Sequence, residues 1–281
     1  MSLVQESIST ITDEELSSIN YAIQSRYGLD FTDYEPSSLK RRIVRIIHKY
    51  SLENVLGLWQ KLLYDKDFIQ IFKDEVSVGL TEMFRNPEIW VALRDTYLPE
   101  IARNNKNVIN IWHAGCSTGE EVHTMAMVAH DAMLLSRCKA LATDLSDSFV
   151  AISQAAVYEK DLCMRYMNNI MQYDPKKSWS YCFEEIDSEK VKVQNRYTDY
   201  AVYRQHNLTS TPTDSNLYDI IFCRNVMIYF NDNLKMNLLR MFHSKLKSGG
   251  LFVIGYFDAM PSNFEQYFTY KESSLKFFAK R

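Results

Sequence analysis

The segment Gly115-Cys116-Ser117-Thr118-Gly119-Glu120-Glu121 is the part of this chain best suited to holding a ligand. It follows a short apolar run and opens a helical pattern. Glycines there permit a tight turn and a close approach of backbone to ligand, and the free N–H groups at the start of the helix can donate. About 25 residues on, Asp144 closes the next apolar run, where a nucleoside-binding α/β sheet places the carboxylate that accepts from ribose hydroxyls. The dinucleotide pattern G-x-G-x-x-G is absent, and so is the phosphate-loop pattern ending in Lys-Ser or Lys-Thr. Glu120 and Glu121 would repel a phosphate and attract a cation. S-adenosylmethionine (SAM), with its ribose, ammonium and positively charged sulfur, meets both demands. The plainer alternative is a strand-to-helix turn with a capping box and a solvated aspartate, and these residues alone leave it open.

Two further segments invite a chemical reading. Cys223-Arg224-Asn225-Val226-Met227-Ile228-Tyr229-Phe230 begins where an apolar strand pattern ends, so Arg224 and Asn225 would line a ligand crevice while Val-Met-Ile packs as core. Otherwise Arg224 is a surface ion-pair partner and Tyr229 a core aromatic. In Thr81-Glu82-Met83-Phe84-Arg85-Asn86-Pro87, the Asn-Pro pair is an ordinary helix start, which leaves Thr81 and Arg85 as candidates.

The elements that must position these residues fall into two kinds. Residues 1–75 read as a helical N-terminal domain. Thr12-Asp13-Glu14-Glu15 starts a first helix with Leu16, Ile19 and Ile23 on its apolar face, and Gly28 stops it. A second helix from about Pro36 carries the stripe Leu39, Ile43, Ile46, Ile47, Tyr50, and a third covers Leu52 to Leu63. Residues 76–106 form a linker and connecting helix. From there the period changes. Val108–Trp112, Ala140–Thr143, Asp219–Cys223 and Leu251–Gly255 read as buried strands alternating with helices at about 120–135, 147–158 and 234–246. That order predicts an α/β fold, a Rossmann-like parallel sheet over residues 107–281 with its strand C-termini along one edge. Lys190–Val193 and Tyr200–Tyr203 alternate polar and apolar, which predicts a small antiparallel β-insertion at about 178–205.

Composition narrows the function classes. The 281 residues carry 35 acidic and 32 basic side chains, a formal charge of −3, so no global case exists for nucleic-acid binding. Hydrophobic residues at 46% with 24% charged make a globular protein rather than a disordered one. No apolar run approaches the roughly 20 residues of a membrane span, and the N-terminus is polar and acidic, unlike a signal or transit peptide. The five cysteines form no C-x-x-C pair and read as reduced buried thiols. His113 and His123 lack the i, i+4 spacing of a zinc pair, so no metal is expected. These features predict a soluble cytoplasmic protein without membrane insertion, and a monomer is expected.

The stretches TEMFRNPEIW, IWHAGCSTGEE, ATDLS followed by AISQAAVY, HNL, YDIIFCRNVMIYF and LKSGGLFVIG occur in this order. From about residue 36 to residue 255 the chain resembles the CheR family, the chemotaxis receptor methyltransferases that transfer methyl from SAM to receptor glutamates. The resemblance implies a helical N-terminal domain, a SAM-binding α/β domain and a small antiparallel β-subdomain. It implies that Thr81 and Arg85 reach the cofactor and active site, that Glu121 with Glu120 meets the methionine end, and that Asp144 holds the ribose. Asn207 and Leu208 would flank the adenine, Gly115 would belong to the cofactor loop, Arg224 and Asn225 would close the pocket, and Tyr229 would stand near the reacting groups. Two places depart from the family pattern. Val122-His123-Thr124 stands for Pro-Tyr-Ser, which is expected to alter helix packing, and Tyr256-Phe257-Asp258 stands for a His-Ser-Glu run, which is expected to reshape the pocket mouth. Neither removes a residue assigned to SAM.

The expected reaction is an in-line displacement that yields a glutamyl methyl ester and S-adenosylhomocysteine. A glutamate nucleophile is ionised at pH 7 and needs no general base, and the assigned site residues include no histidine. Arg85 and Tyr229 are the candidates for orienting it. The helix Leu39–Tyr50 carries Lys40, Arg41, Arg42, Arg45 and Lys49 and no acid. This is a solvated face or, as the resemblance implies, an electrostatic dock in which Arg41, Arg42 and Arg45 meet the acidic cytoplasmic helical domain of a chemoreceptor. An RNA-binding patch lacks the stacking aromatics that would accompany it. A SAM methyltransferase of another substrate class and a non-catalytic interaction module remain as alternatives at this level.

Overall fold

The computed structural model describes residues 10–210 and 215–281. Residues 1–9, part of the acidic N-terminus read above, lie outside the described residues. Four helices come first: α1 (Asp13–Tyr27), α2 (Pro36–Lys49), α3 (Val55–Tyr64) and α4 (Phe68–Val76). Thr12 and Glu15 form a reciprocal capping box on α1, and Gly28, in a left-handed conformation, closes it. The apolar stripes of the four helices meet in one cluster that includes Ile19, Ile23, Ile43, Ile46, Leu58 and Phe72. Each such side chain contributes about 1.5–3 kcal/mol on burial. The fourth helix is an addition to the sequence reading, which ends the helical pattern at the turn Tyr64–Asp67. Its buried positions Phe68, Ile69, Phe72 and Val76 have helical spacing, but the segment is only nine residues long.

A loop over 77–86 leads to α5 (Pro87–Ala92), a π-helical turn (Leu93–Tyr97) and α6 (Leu98–Asn104). The sheet region then runs β1 (Ile109–Ala114), α7 (Glu120–Asp131), β2 (Cys138–Asp144), α8 (Asp147–Ala155), β3 (Val157–Glu159), α9 (Lys160–Tyr173), α10 (Trp179–Cys182), β4 (Phe183–Glu185), β5 (Lys190–Val193), β6 (Ala201–Gln205), β7 (Tyr218–Cys223), α11 (Asp232–Lys245), β8 (Leu246–Ile254), β9 (Phe268–Glu272) and β10 (Phe277–Lys280). The main sheet has the order β6-β2-β1-β7-β8-β10-β9. Its first five strands are parallel, and β10 and β9 add to it antiparallel. Every residue of β7 is buried, as a central parallel strand covered on both faces requires. The chain leaves β1 for β2 on one side and lies against β7 on the other, which opens a crevice beyond the carboxyl ends of these strands.

The β-insertion differs from the expected one. A second sheet, β3-β5-β4, is antiparallel and takes in Lys190–Val193, together with Val157–Glu159 and Phe183–Glu185. Tyr200–Tyr203 does not belong to it: Ala201–Gln205 is β6, the parallel edge of the main sheet, paired with β2 from Ala140↔Ala201 to Asp144↔Gln205. Alternation reports one solvated face, and an edge strand has one whichever way its partner runs. Helix α9 follows β3 in the chain and buries Cys163, Tyr166, Ile170 and Tyr173. No described helix is long and apolar enough to cross a membrane, and all five cysteines are free thiols and buried.

Candidate active site

The ends of four parallel strands and one wall of the helical segment line a cleft open to one side. Thr81, Arg85, Gly115, Glu121, Asp144, Asn207, Leu208, Arg224, Asn225 and Tyr229 all line it. Glycine is required at the loop after β1. Gly115 has φ +88°, and a Cβ there would sit 2.5 Å from Val226; Gly119 has φ +98°, and a Cβ would sit 2.2 Å from Ser153 Oγ. Left-handed backbone also occurs at Phe84, Asn86, Ser117 and Asn225, all on or next to the cleft. Such conformations cost about 1–3 kcal/mol each and persist where the surroundings over-determine them.

Asp144 ends β2 almost fully buried. Its Oδ2 accepts from the Ser117 N–H at 2.8 Å and its Oδ1 from the Ser146 N–H at 3.1 Å, so the same carboxylate orders the glycine loop and faces the cleft. Burial pushes its pKa upward, and the backbone N–H groups of Ser146 and Ser117 oppose that shift. The free lone pairs left on the two oxygens suit hydroxyl donors.

The two adjacent glutamates separate. Successive helical residues point about 100° apart, so only one of the pair can face the cleft. That one is Glu121. Its Oε2 lies 3.2 Å from Arg224 Nη1 and its Oε1 2.9 Å from His113 Nδ1. Burial raises its pKa, but the His113 hydrogen bond and the Arg224 charge outweigh this and hold it below the usual carboxylate value. Glu120 is turned away and does not line the cleft. It accepts from Thr118 Oγ1 at 2.7 Å and from Tyr166 OH at 3.0 Å, and burial pushes its pKa up.

Arg224 is a buried guanidinium packed over Trp90 at 5.3 Å. Besides Glu121, it donates from Nη2 to the Arg85 carbonyl and to Asn86 Oδ1, both at 3.0 Å, which leaves its buried Nε–H without a protein acceptor. A buried N–H in that condition on a cleft wall fits a ligand acceptor. Arg85 donates to Asn225 Oδ1 at 3.3 Å and to the Leu80 carbonyl at 3.0 Å. Asn207 fixes its own loop by accepting from the Thr209 N–H at 3.0 Å, and His206 N–H donates to the Asp144 carbonyl at 2.8 Å.

The basic helix α2 is divided. Arg41 is exposed. Arg45 and Lys49 pair with Glu75 at 3.3 and 2.5 Å, and Lys40 pairs with Asp13 at 2.6 Å. Arg42 turns inward, lines the cleft, donates to the Val76 carbonyl and lies 4.2 Å over the Tyr229 ring. Of the three arginines read as one exposed dock, it is the one that faces the pocket. Its position four before Ile46 and three after Leu39, at the margin of the apolar stripe, is the signal that separates it from Arg41. Tyr34 also lines the cleft and pairs with Phe230 across an isolated β-bridge.

Three contributors were not singled out from the sequence. His113 holds Glu121, as above. Asp258 is almost fully buried, its Oδ2 accepting from the N–H groups of Asn225 (2.5 Å) and Gly255 (2.8 Å) and its Oδ1 from Ile228 N–H (3.0 Å). It lies in the second departure, whose Tyr256 hydroxyl donates to Glu88 at 2.5 Å, a contact outside the residues that line the cleft. In the first departure, Thr124 Oγ1 accepts from the Phe84 N–H at 3.0 Å and donates to the Glu120 carbonyl at 2.6 Å, joining α7 to the 77–86 loop. Both departures therefore supply local hydrogen bonds of their own.

The acceptors and donors around the cleft suit a nucleoside carrying an amino-acid arm: a carboxylate for ribose hydroxyls, a second carboxylate for an ammonium, and N–H donors for a carboxylate. Among the described residues no group of His, Cys, Asp and Glu is placed to hold a metal ion.

Comparison with known proteins bears on the same residues. The family model "CheR methyltransferase, all-alpha domain" matches residues 14–77, and "CheR methyltransferase, SAM binding domain" matches residues 79–277. The Pseudomonas putida protein Cher3 is 28% identical over 87% of this chain and 88% of its own. The chemotaxis protein methyltransferase of Borreliella burgdorferi is 28% identical over 90% of each chain, and that of Vibrio parahaemolyticus 27% identical over 88% of this chain and 89% of its own. The SAM-binding model alone spans well over half of the sequence, and the chain belongs to the CheR family of SAM-dependent methyltransferases.

Proposed function

We propose that this protein methylates glutamate side chains in the cytoplasmic helical domain of a chemoreceptor, forming methyl esters that adjust signalling. The observation that carries the reading is the convergence of Asp144, Glu121, Arg224, Arg85 and Tyr229 on one cleft, with Arg42 contributed by the helical segment. The relatives from Vibrio parahaemolyticus and Borreliella burgdorferi are chemotaxis protein methyltransferases, which supports this reading. When bound, SAM supplies a methyl group on a positively charged sulfur, which leaves as the neutral thioether of S-adenosylhomocysteine once an ionised carboxylate takes the methyl carbon.

The chain's own residues do the positioning. Asp144 accepts from the ribose hydroxyls, Glu121 takes the ammonium, Arg224 Nε donates to the methionine carboxylate, and Asn207 and Leu208 flank the base. Arg85 and Tyr229 orient the incoming carboxylate. Since a glutamate has a pKa of about 4.3, it arrives ionised and no base is needed. The cleft has only to desolvate it partly and aim it, and orientation supplies most of the rate. A single positioning hydrogen bond from Arg85 serves better than a tight pair, which would stabilise the ground state as much as the transition state.

Arg41 and Arg45 lie outside the cleft and form, in this reading, the surface that meets an acidic receptor helix, an attraction that weakens with salt. The enzyme acts as a monomer in the cytoplasm. The test is transfer of labelled methyl from SAM to a purified receptor cytoplasmic fragment. Base-labile, glutamate-linked label, with a KM raised by reversing Arg41 and Arg45 to Glu, is the expected result. Saturable S-adenosylhomocysteine binding without any label on receptor fragments would sink the substrate assignment and leave the cofactor site standing.

A further inference from the structure

Glu121 is held from two sides, and one side is unusual. His113 is the penultimate residue of β1, fully buried, with its ring parallel to Phe222 of β7 (centroids 4.9 Å apart, planes within 4°). Its Nδ1 is 2.9 Å from Glu121 Oε1, and its Nε2 is 3.2 Å from the Tyr200 hydroxyl, which in turn lies 2.7 Å from the Val122 carbonyl. A carboxylate can only accept, so the proton on this contact is carried by Nδ1. Stacking on Phe222 and the contact at Nε2 leave the ring one orientation. The other carboxylate oxygen is taken by Arg224 at 3.2 Å. Two fixed donors, one on each oxygen, therefore determine where the Glu121 carboxylate sits in the cleft. An ordinary sheet of this kind requires no histidine at that point: β1 is otherwise apolar apart from the half-buried Asn110.

We propose that His113 is a positioning residue of the methyl-donor site: by donating to Glu121 it sets the grip on the amino-acid arm of the ligand and leaves the nucleoside end untouched. This rests on the reading of the cleft as the SAM site with Glu121 at the methionine end. The histidine touches neither substrate nor cofactor itself; it acts through the carboxylate. A buried acceptor deprived of one donor loses about 1–3 kcal/mol, which corresponds to roughly 5- to 150-fold in affinity.

The test uses two ligands and two isosteric variants of the full chain. S-adenosylhomocysteine carries the amino-acid arm, and 5′-methylthioadenosine has the same nucleoside and sulfur without it. His113→Asn places an amide donor where Nδ1 stands, and His113→Gln places it where Nε2 stands. Calorimetric titration should show wild type preferring S-adenosylhomocysteine, Asn keeping most of that preference, and Gln weakening S-adenosylhomocysteine about 10- to 100-fold with methylthioadenosine within about twofold. Gln and Asn behaving alike, or both ligands weakening together, overturns the proposal, because packing alone would do that. If Gln fails to fold, Asn still decides: loss of the preference in a folded Asn variant overturns it. A wild type that binds neither ligand, or both equally, instead overturns the reading of the cleft on which the proposal stands.

Discussion

The guanidinium of Arg42 on α2 lies 4.2 Å over the ring of Tyr229 in the turn after β7, so a helix of the N-terminal segment sets a side chain that lines the cleft. The backbone repeats the connection. Glu35 N–H donates to the Tyr229 carbonyl at 2.8 Å, and Asn231 N–H donates to the Asp33 carbonyl at 3.0 Å. Tyr229 is thus held from the ring and from the main chain by residues on the other side of the cleft.

Removing the guanidinium should free the ring and leave the donor end of the cleft alone. A cation over an aromatic face is worth about 0.5–2 kcal/mol, so Arg42→Ala should lower methyl transfer by roughly 3- to 30-fold. The S-adenosylhomocysteine dissociation constant should stay within about twofold. Steady-state transfer and calorimetry on the same preparation check this. A fall in S-adenosylhomocysteine affinity as large as the fall in rate would show that Arg42 supports the whole cleft.

Asp144 and Arg85 should separate in the same pair of measurements. Both Asp144 oxygens already order backbone, at Ser117 and Ser146, so Asp144→Ala would remove the proposed ribose acceptor and loosen the glycine loop together. The expected loss of S-adenosylhomocysteine affinity exceeds about 100-fold, the combined cost of one charged acceptor and two stranded N–H groups. Arg85 reaches Asn225 and the Leu80 carbonyl and lies on the opposite wall. Arg85→Ala should depress turnover strongly, with affinity changed only several-fold. Equal loss of affinity in the two variants would end this division of labour.

How far these roles could be read in advance depends on whether one residue or a fold decides them. The glycine loop, Asp144 and the strand ends were legible because a parallel sheet puts the residue after each strand at the crevice, so order along the chain is enough. Glu120 was not: it shares type and neighbourhood with Glu121, and only the helical rotation sends it to Thr118 and Tyr166. Strand β6 was misassigned because alternation marks a solvated face without saying which partner covers the other edge. His113 and Asp258 escaped for another reason. Their work is to hold Glu121 and the Asn225 backbone, contacts that span 8 and 33 residues and exist only once the sheet has closed.

Asp258 offers a stability test of that last point. One carboxylate satisfies three buried backbone N–H groups, at Asn225, Gly255 and Ile228. The packing there is close, since a Cβ on Gly255 would come within 2.7 Å of the Asn225 nitrogen. Asp258→Ala should therefore cost about 2–4 kcal/mol in urea unfolding. Asp258→Asn keeps one acceptor oxygen and should cost about half as much. Because Asn225 lines the cleft, both should also weaken S-adenosylhomocysteine binding in the folded protein. An Ala variant as stable as wild type would mean that these N–H groups find other acceptors.

His123 predicts a pH dependence with a definite sign. It is fully buried in α7, and its Nε2 lies 3.0 Å from the Ser153 carbonyl, an acceptor, so Nε2 carries the proton of a neutral ring. Burial pushes its pKa from 6.5 down to about 4. The unfolded chain takes up a proton as pH falls through 6.5, whereas the folded chain resists until about 4. The contribution is therefore complete above pH 6.5 and shrinks as pH falls toward 4, by about 2–3 kcal/mol at pH 4.5. His123→Gln puts an amide donor in the place of Nε2, keeps the bond to Ser153 and has no proton to gain. Urea unfolding from pH 7.5 to pH 4.5 should show wild type losing about 2–3 kcal/mol more than this variant. Parallel curves for the two proteins would mean that His123 titrates alike in the folded and unfolded chain, and the acid sensitivity of the fold would then have to arise from its carboxylates.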